Sequence, residues 1–141
     1  MKVLFDTNIV LDVLLNREPF VELSVGLLSL VEEKVIKGYL CATTITTIDY
    51  LITKSQNRKT ARDELSKLLG MFQICSVNEQ VLQLALNSKF NDFEDAVQFY
   101  SGVCNSVDSI VTRNTKDYKE TQIPVYTPLE LWSIIRLENN K

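Results

Sequence analysis

Five short runs rich in apolar and β-branched residues alternate along this chain with segments of helical period. That alternation constrains the fold more than any other feature. Residues 2–5, 39–43, 71–77, 108–112 and 123–126 read as strands, with helical patterns between them. Strands separated by helices pair in parallel, so the expected fold is α/β, a five-stranded and mostly parallel sheet in a three-layer α/β/α arrangement. Pro124 in the last run places that strand at an edge or at its own start.

The helices follow from spacing and end signals. Ile9, Val10, Val13 and Leu14 form one apolar stripe, with Thr7 or Asn8 as its cap. Residues 20–37 carry Val21, Leu23, Val25, Leu27, Leu28 and Val31 and are expected to be a well-buried helix stopped by Gly38. Residues 44–54 are β-rich by propensity, yet Ile45, Ile48, Leu51 and Ile52 fit a period of 3.6, and a helix capped by Thr44 is the better reading. Residues 55–70 form an amphipathic helix that turns Leu65, Leu68 and Leu69 to the core. Asn78 caps the next, with Val81, Leu82, Leu84 and Ala85. A helix over 92–104 opens with Asp92 as N-cap and Asp95 at N3. Thr127, Pro128 and Glu130 open the last helix as a capping box, and Asn139 to Lys141 should fray. Phe20, Phe72, Phe90, Phe99, Tyr100 and Trp132 are expected in the core.

The 141 residues suit one domain over 1–141, and no apolar run reaches the roughly 18–20 residues of a membrane span. Asp6 interrupts the first apolar run too early for a signal peptide. Cys41, Cys75 and Cys104 lack the spacing of a zinc site or disulfide framework. They are expected as reduced, buried thiols, which points to the cytoplasm.

Histidine is absent, which removes His-based triads, His-ligated zinc and histidine general bases. A parallel sheet gathers the carboxyl ends of its strands on one edge, where ligands bind. Asp6 follows the first strand, Asp49 the second and Asp117 the fourth, while Asp95 lies on the helix that feeds the fourth. Carboxylates collected there without histidine or thiolate suit a hard cation, Mg²⁺ or Mn²⁺, and its natural substrate is a phosphate ester. The net charge of −3 gives no global attraction to nucleic acid. A local basic segment does exist: Lys54, Arg58, Lys59, Arg62 and Lys67, with Arg58, Lys59 and Arg62 as candidate phosphate contacts.

Phe5-Asp6-Thr7-Asn8-Ile9, Thr43-Thr44-Ile45-Thr46 leading to Asp49, Asp92-Phe93-Glu94-Asp95-Ala96-Val97-Gln98 and Val111-Thr112-Arg113-Asn114-Thr115-Lys116-Asp117-Tyr118 together resemble the PIN-domain family. The resemblance runs over essentially the whole chain, and its specific part is the pairing of the third segment with the fourth. It implies a Mg²⁺- or Mn²⁺-dependent ribonuclease acting on RNA, often the toxin of a toxin–antitoxin pair. An antitoxin protein and a second copy of the chain are then candidate partners. By position it implies metal-binding acids at Asp6, Asp49, Asp95 and either Asp117 or Asn114, with Asn8, Thr112 and Arg113 toward the substrate. Two departures stand out. Asp49 occupies a position usually held by glutamate, and Asn114 one often held by aspartate.

Plainer roles compete at several positions. Asp92 reads chiefly as a cap and Glu94 as a solvated first-turn acid. Asp12 reads as an exposed helix residue, and Asp108 lies at the wrong end of its strand. Arg113 binds substrate phosphate or pairs with a nearby acid. Two other functions fit the same residues: a phosphatase of the haloacid-dehalogenase type with Asp6 as nucleophile, and a PIN-like module that binds RNA or protein without turnover.

Overall fold

The computed structural model describes residues 1–118 and 122–139. Among them the elements run β1 (Lys2–Phe5), α1 (Thr7–Leu14), α2 (Val21–Glu32), β2 (Lys37–Cys41), α3 (Ala42–Ser55), α4 (Arg58–Met71), β3 (Gln73–Cys75), α5 (Glu79–Leu86), α6 (Phe93–Cys104), β4 (Ser109–Val111), a 3₁₀ turn (Thr115–Asp117), β5 (Val125–Tyr126) and α7 (Pro128–Asn139). Four parallel pairings give one sheet in the order β3-β2-β1-β4-β5.

Alternation along β1 divides the core. Val3 and Phe5 face one layer, packed with Ile9, Leu27, Ile48 and Leu131 from α1, α2, α3 and α7. Leu4 faces the other, with Val81 of α5 and Val97 and Phe99 of α6. A strand buried on both faces must be apolar throughout, as Val3-Leu4-Phe5 is. Chain order starts at the centre, grows outward through β2 and β3, then returns to β4 on the other side of β1. The order therefore reverses between β1 and β4, the place where sheets of this kind bind ligands.

Several local expectations are corrected. Helix α2 ends near Glu32 rather than running to residue 37. Its exit is Lys34, in the left-handed region at φ 63°, and not Gly38. Gly38 lies inside β2 instead, because a Cβ there would come within 2.6 Å of the Phe72 ring and 2.8 Å of Val31. The second strand thus sits two residues earlier than its sequence pattern suggests. Residues 42–55 are helical despite their threonines and isoleucines, since burial of Ile48 and Ile52 overrides propensity. Leu69, Leu82 and Leu84 are exposed rather than in the core, as is Val25 of α2. Phe20 is also exposed rather than in the core, with the Arg113 guanidinium stacked over its ring.

Asn78 caps α5 through the Val81 amide, and Thr127 and Glu130 form the expected reciprocal box at α7. Cys41 and Cys75 are buried free thiols, whereas Cys104 is free but exposed, since it closes α6 at the surface. Asn140 and Lys141, expected to fray, lie outside the described residues. No helix among the described residues is long and apolar enough to cross a membrane.

Candidate active site

Asp6 is the residue around which the β1–β4 edge is built. It sits one position past β1 and is itself the N-cap of α1, accepting from the Asn8 amide at 3.3 Å. That displaces Thr7 and Asn8 from the capping role expected of them. Its other oxygen accepts from Thr112 Oγ1 at 2.6 Å and from the Tyr118 hydroxyl at 3.3 Å, while Gln98 Nε2 donates to the first at 3.4 Å. Four donors thus fix one buried carboxylate.

Behind Asp6 the polar groups continue. Gln98 Oε1 accepts from the Thr7 amide, Thr7 Oγ1 and Thr44 Oγ1 at 3.2–3.3 Å, and the two threonine hydroxyls lie 2.8 Å apart. Thr44 is therefore a buried network member and not the cap of α3, whose first residue follows Cys41 without a side-chain cap. Thr112 is fully buried and turned toward Asp6, so it positions a carboxylate rather than meeting a substrate. Gln98, Thr7, Thr44 and Tyr118 thus support the site without being among the residues expected in it. Gln98 offered a signal: a polar residue on the apolar face of α6.

Asp95 enters from the first turn of α6, where Asp92 caps the helix by accepting from the Asp95 amide at 2.9 Å. The cap assignment for Asp92 holds. The Asp95 carboxyl is pushed up to about 7, first by burial and then by the like charges of Asp6, Asp92, Asp117 and Glu94. Burial first, then the charges of Asp6, Asp95 and Asp117 and the hydrogen bond to Asp6, hold the Tyr118 phenol well above its ordinary range, so it remains a neutral donor to Asp6. Asp117 closes the 3₁₀ turn after β4, and both it and Asn114 are exposed. With Arg113, Thr115 and Lys116 they line a hollow of about 300 Å³.

Asp49 does not join this group. It lies on the side of α3 away from the acids, with Arg62 Nε 3.6 Å from its Oδ1. Thr47, two residues earlier, faces the acidic edge and donates to Glu94 at 3.2 Å. Helical periodicity explains the outcome, since residues two apart point to different sides of a helix.

Asp12, expected on the surface, is fully buried. Arg113 grips it through Nε at 2.6 Å and Nη2 at 3.2 Å, and Arg17 adds a contact at 3.6 Å. The local-acid reading of Arg113 is thus the one realised. Its guanidinium lies 4.0 Å over the Phe20 ring, which completes the clamp. Asp108 bonds the Lys2 amide at the far end of the sheet, as its position implied.

Among the described residues no three acidic or thiol side chains form a ready-made metal cage. Mg²⁺ commonly takes only one or two protein carboxylates and completes its shell with water and phosphate oxygens. The pressure of negative charge on Asp95, facing Asp6, suits such a cation.

A family model described as PIN domain matches residues 2–116. No curated protein matches the sequence. The fold is similar to that of a toxin–antitoxin complex from Klebsiella pneumoniae, at TM-score 0.68 and 22% identity, covering 89% of this chain and 97% of that one. It is similar to FitAcB from Neisseria gonorrhoeae, at TM-score 0.67 and 21% identity, covering 90% and 98%. It is also similar to VapBC2 from Rickettsia felis, bound to a DNA fragment from its promoter, at TM-score 0.66 and 14% identity, covering 90% and 98%. With the family model spanning most of the sequence and the acids gathered where its sheet reverses order, this chain belongs to the PIN-domain family.

Proposed function

We propose that the chain is a Mg²⁺- or Mn²⁺-dependent endoribonuclease and the toxin of a toxin–antitoxin pair, acting in the cytoplasm. The observation that carries this reading is the like charge of Asp6 and Asp117 acting on Asp95 near the carboxyl ends of β1 and β4 in a PIN domain. The similarity to a toxin–antitoxin complex supports an antitoxin as partner. Family membership replaces the phosphatase alternative.

Asp6 and Asp95 are the residues that would hold the cation, with Asp117 and Asn114 as further donors from the loop after β4. Bound there, a divalent cation supplies Lewis acidity toward a phosphodiester and its attacking water. Thr112, Tyr118 and Gln98 keep Asp6 oriented, so the site is preorganised before substrate arrives. Asp6 is buried, whereas Asp95 is half-buried and Asp117 exposed.

RNA incubated with the protein should be cleaved in Mn²⁺ or Mg²⁺ and left intact in chelator, and Asp95→Asn should abolish cleavage. Cleavage that persists in chelator refutes the metal mechanism. The second reading, a module that binds without turnover, is favoured by Asp49 facing away and by the neutral Asn114. RNA binding with no cleavage under any divalent cation would establish it.

A further inference from the structure

The basic segment divides into residues whose charge is locally paired and residues that share a hollow. Lys59 bonds Asp63 at 3.2 Å and Lys67 lies 3.5 Å from Glu64. Lys54, Arg58 and Arg62 instead line a concavity of about 320 Å³ between the end of α3 and the start of α4, together with Asp49, Tyr50 and Thr53. Tyr50 is 63% exposed there, with the Lys54 ammonium 5.9 Å from its ring centroid. Three cations face one acid, and the first turn of α4 carries no acid to offset them. Asp49 Oδ1 is buried without a hydrogen bond and lies 3.6 Å from Arg62 Nε, so it orients that guanidinium while the hollow stays positive.

We propose that this hollow is a subsite for one nucleotide of single-stranded RNA, its base stacked on Tyr50 and its phosphate held by Lys54, Arg58 and Arg62. An exposed aromatic ring flanked by cations is the arrangement that binds single strands without choosing sequence. Helix α3 is the shared wall. Thr47 touches Glu94 at the acidic edge, and Tyr50 and Lys54 lie toward α4. A helix is about 10–12 Å across with its side chains, so one strand crossing α3 reaches both places. Duplex RNA keeps its bases stacked inside and cannot use Tyr50. The inference rests on the ribonuclease reading and names its substrate as single-stranded.

Binding is tested without cleavage, using Asp95→Asn protein in chelator and short fluorescent oligoadenylate and oligouridylate over a salt series. Tyr50→Ala should weaken binding about ten-fold or more with an unchanged salt slope, and Tyr50→Phe should keep it. Arg58→Gln and Arg62→Gln should each lower the slope by about 0.7, while Lys37→Gln, at the opposite edge of the sheet, should leave it unchanged. Duplex RNA should be indifferent to Tyr50→Ala. Equal affinities for wild type and folded Tyr50→Ala would overturn the subsite. So would an acidic peptide that binds the hollow and is as sensitive to Tyr50→Ala as RNA, because the ring would then serve a protein partner. Metal-dependent cleavage with no role for Tyr50 removes only the subsite. Tyr50-dependent RNA binding with no cleavage removes only the nuclease reading.

Discussion

Replacing Arg113 with alanine separates a structural clamp from a substrate contact. Asp12 is fully buried and receives two hydrogen bonds from Arg113, at 2.6 and 3.2 Å. Removing one partner of a buried pair costs about 3–5 kcal/mol, because the remaining charge stays desolvated. Arg17 remains 3.6 Å from Asp12 and softens the loss, so the lower end applies, about 3 kcal/mol. The lost stack on Phe20 adds about 0.5–1 kcal/mol. With about 2.1 cal/mol/K of unfolding entropy per residue, the whole chain changes by about 0.3 kcal/mol per kelvin, so a total loss of about 3.5–4 kcal/mol should lower the melting temperature of Arg113→Ala by about 12–13 °C. Circular-dichroism melts in chelator measure this directly. Asp12→Ala combined with Arg113→Ala should cost less than the sum of the two single changes, by about 0.5–3 kcal/mol. An Arg113→Ala protein that melts within about 2 °C of wild type and binds RNA with a reduced salt slope would refute the clamp.

The Asp95 carboxyl has an ordinary value of 3.8 and is raised to about 7 in the fold, so the native state holds a proton that the unfolded chain has released between those values. Without metal its contribution to stability therefore falls as pH rises through about 4 to 7. Asp95→Asn should match wild type near pH 4 and exceed it above pH 7 by about 1–2 kcal/mol, a figure discounted because the group is half-exposed. Parallel stability profiles from pH 4 to 8 in chelator would contradict this. Asp92→Ala should cost about 1 kcal/mol through loss of the α6 cap, whereas Asp92→Asn should be nearly silent in both melting and cleavage. An inactive, fully stable Asp92→Asn would move Asp92 into the catalytic group.

The fold was legible because period and punctuation agree over most of the chain. Asn78 and Thr127 open helices as their sequence contexts require, and even the threonine-rich α3 follows the spacing of its isoleucines. Ends were harder to read. Gly38 looks like a helix stop, but its requirement comes from Phe72, thirty-four residues away, which no local pattern contains. The site was legible where an acid lies at an element's end, as with Asp6 and Asp95. It was not legible where the direction of a side chain around a helix decides the matter. Asp49 and Asp12 each lie within a turn or two of a strand end, yet one turns to Arg62 and the other is enclosed by Arg113. The supporting shell, Gln98 with Thr7 and Thr44, depends on three distant segments meeting and leaves no linear signature.

Asp6 caps α1, receives donors from α6, from the end of β4 and from the turn beyond it, and belongs to the acidic edge as well. Its two duties cannot be lost one at a time. A descendant of this chain that abandons chemistry but still folds is thus expected to keep Asp6 and to discard Asp95, whose removal relieves repulsion. In such lineages an intact first aspartate records ancestry and architecture, and the first turn of α6 is where a retired enzyme can be told from a working one.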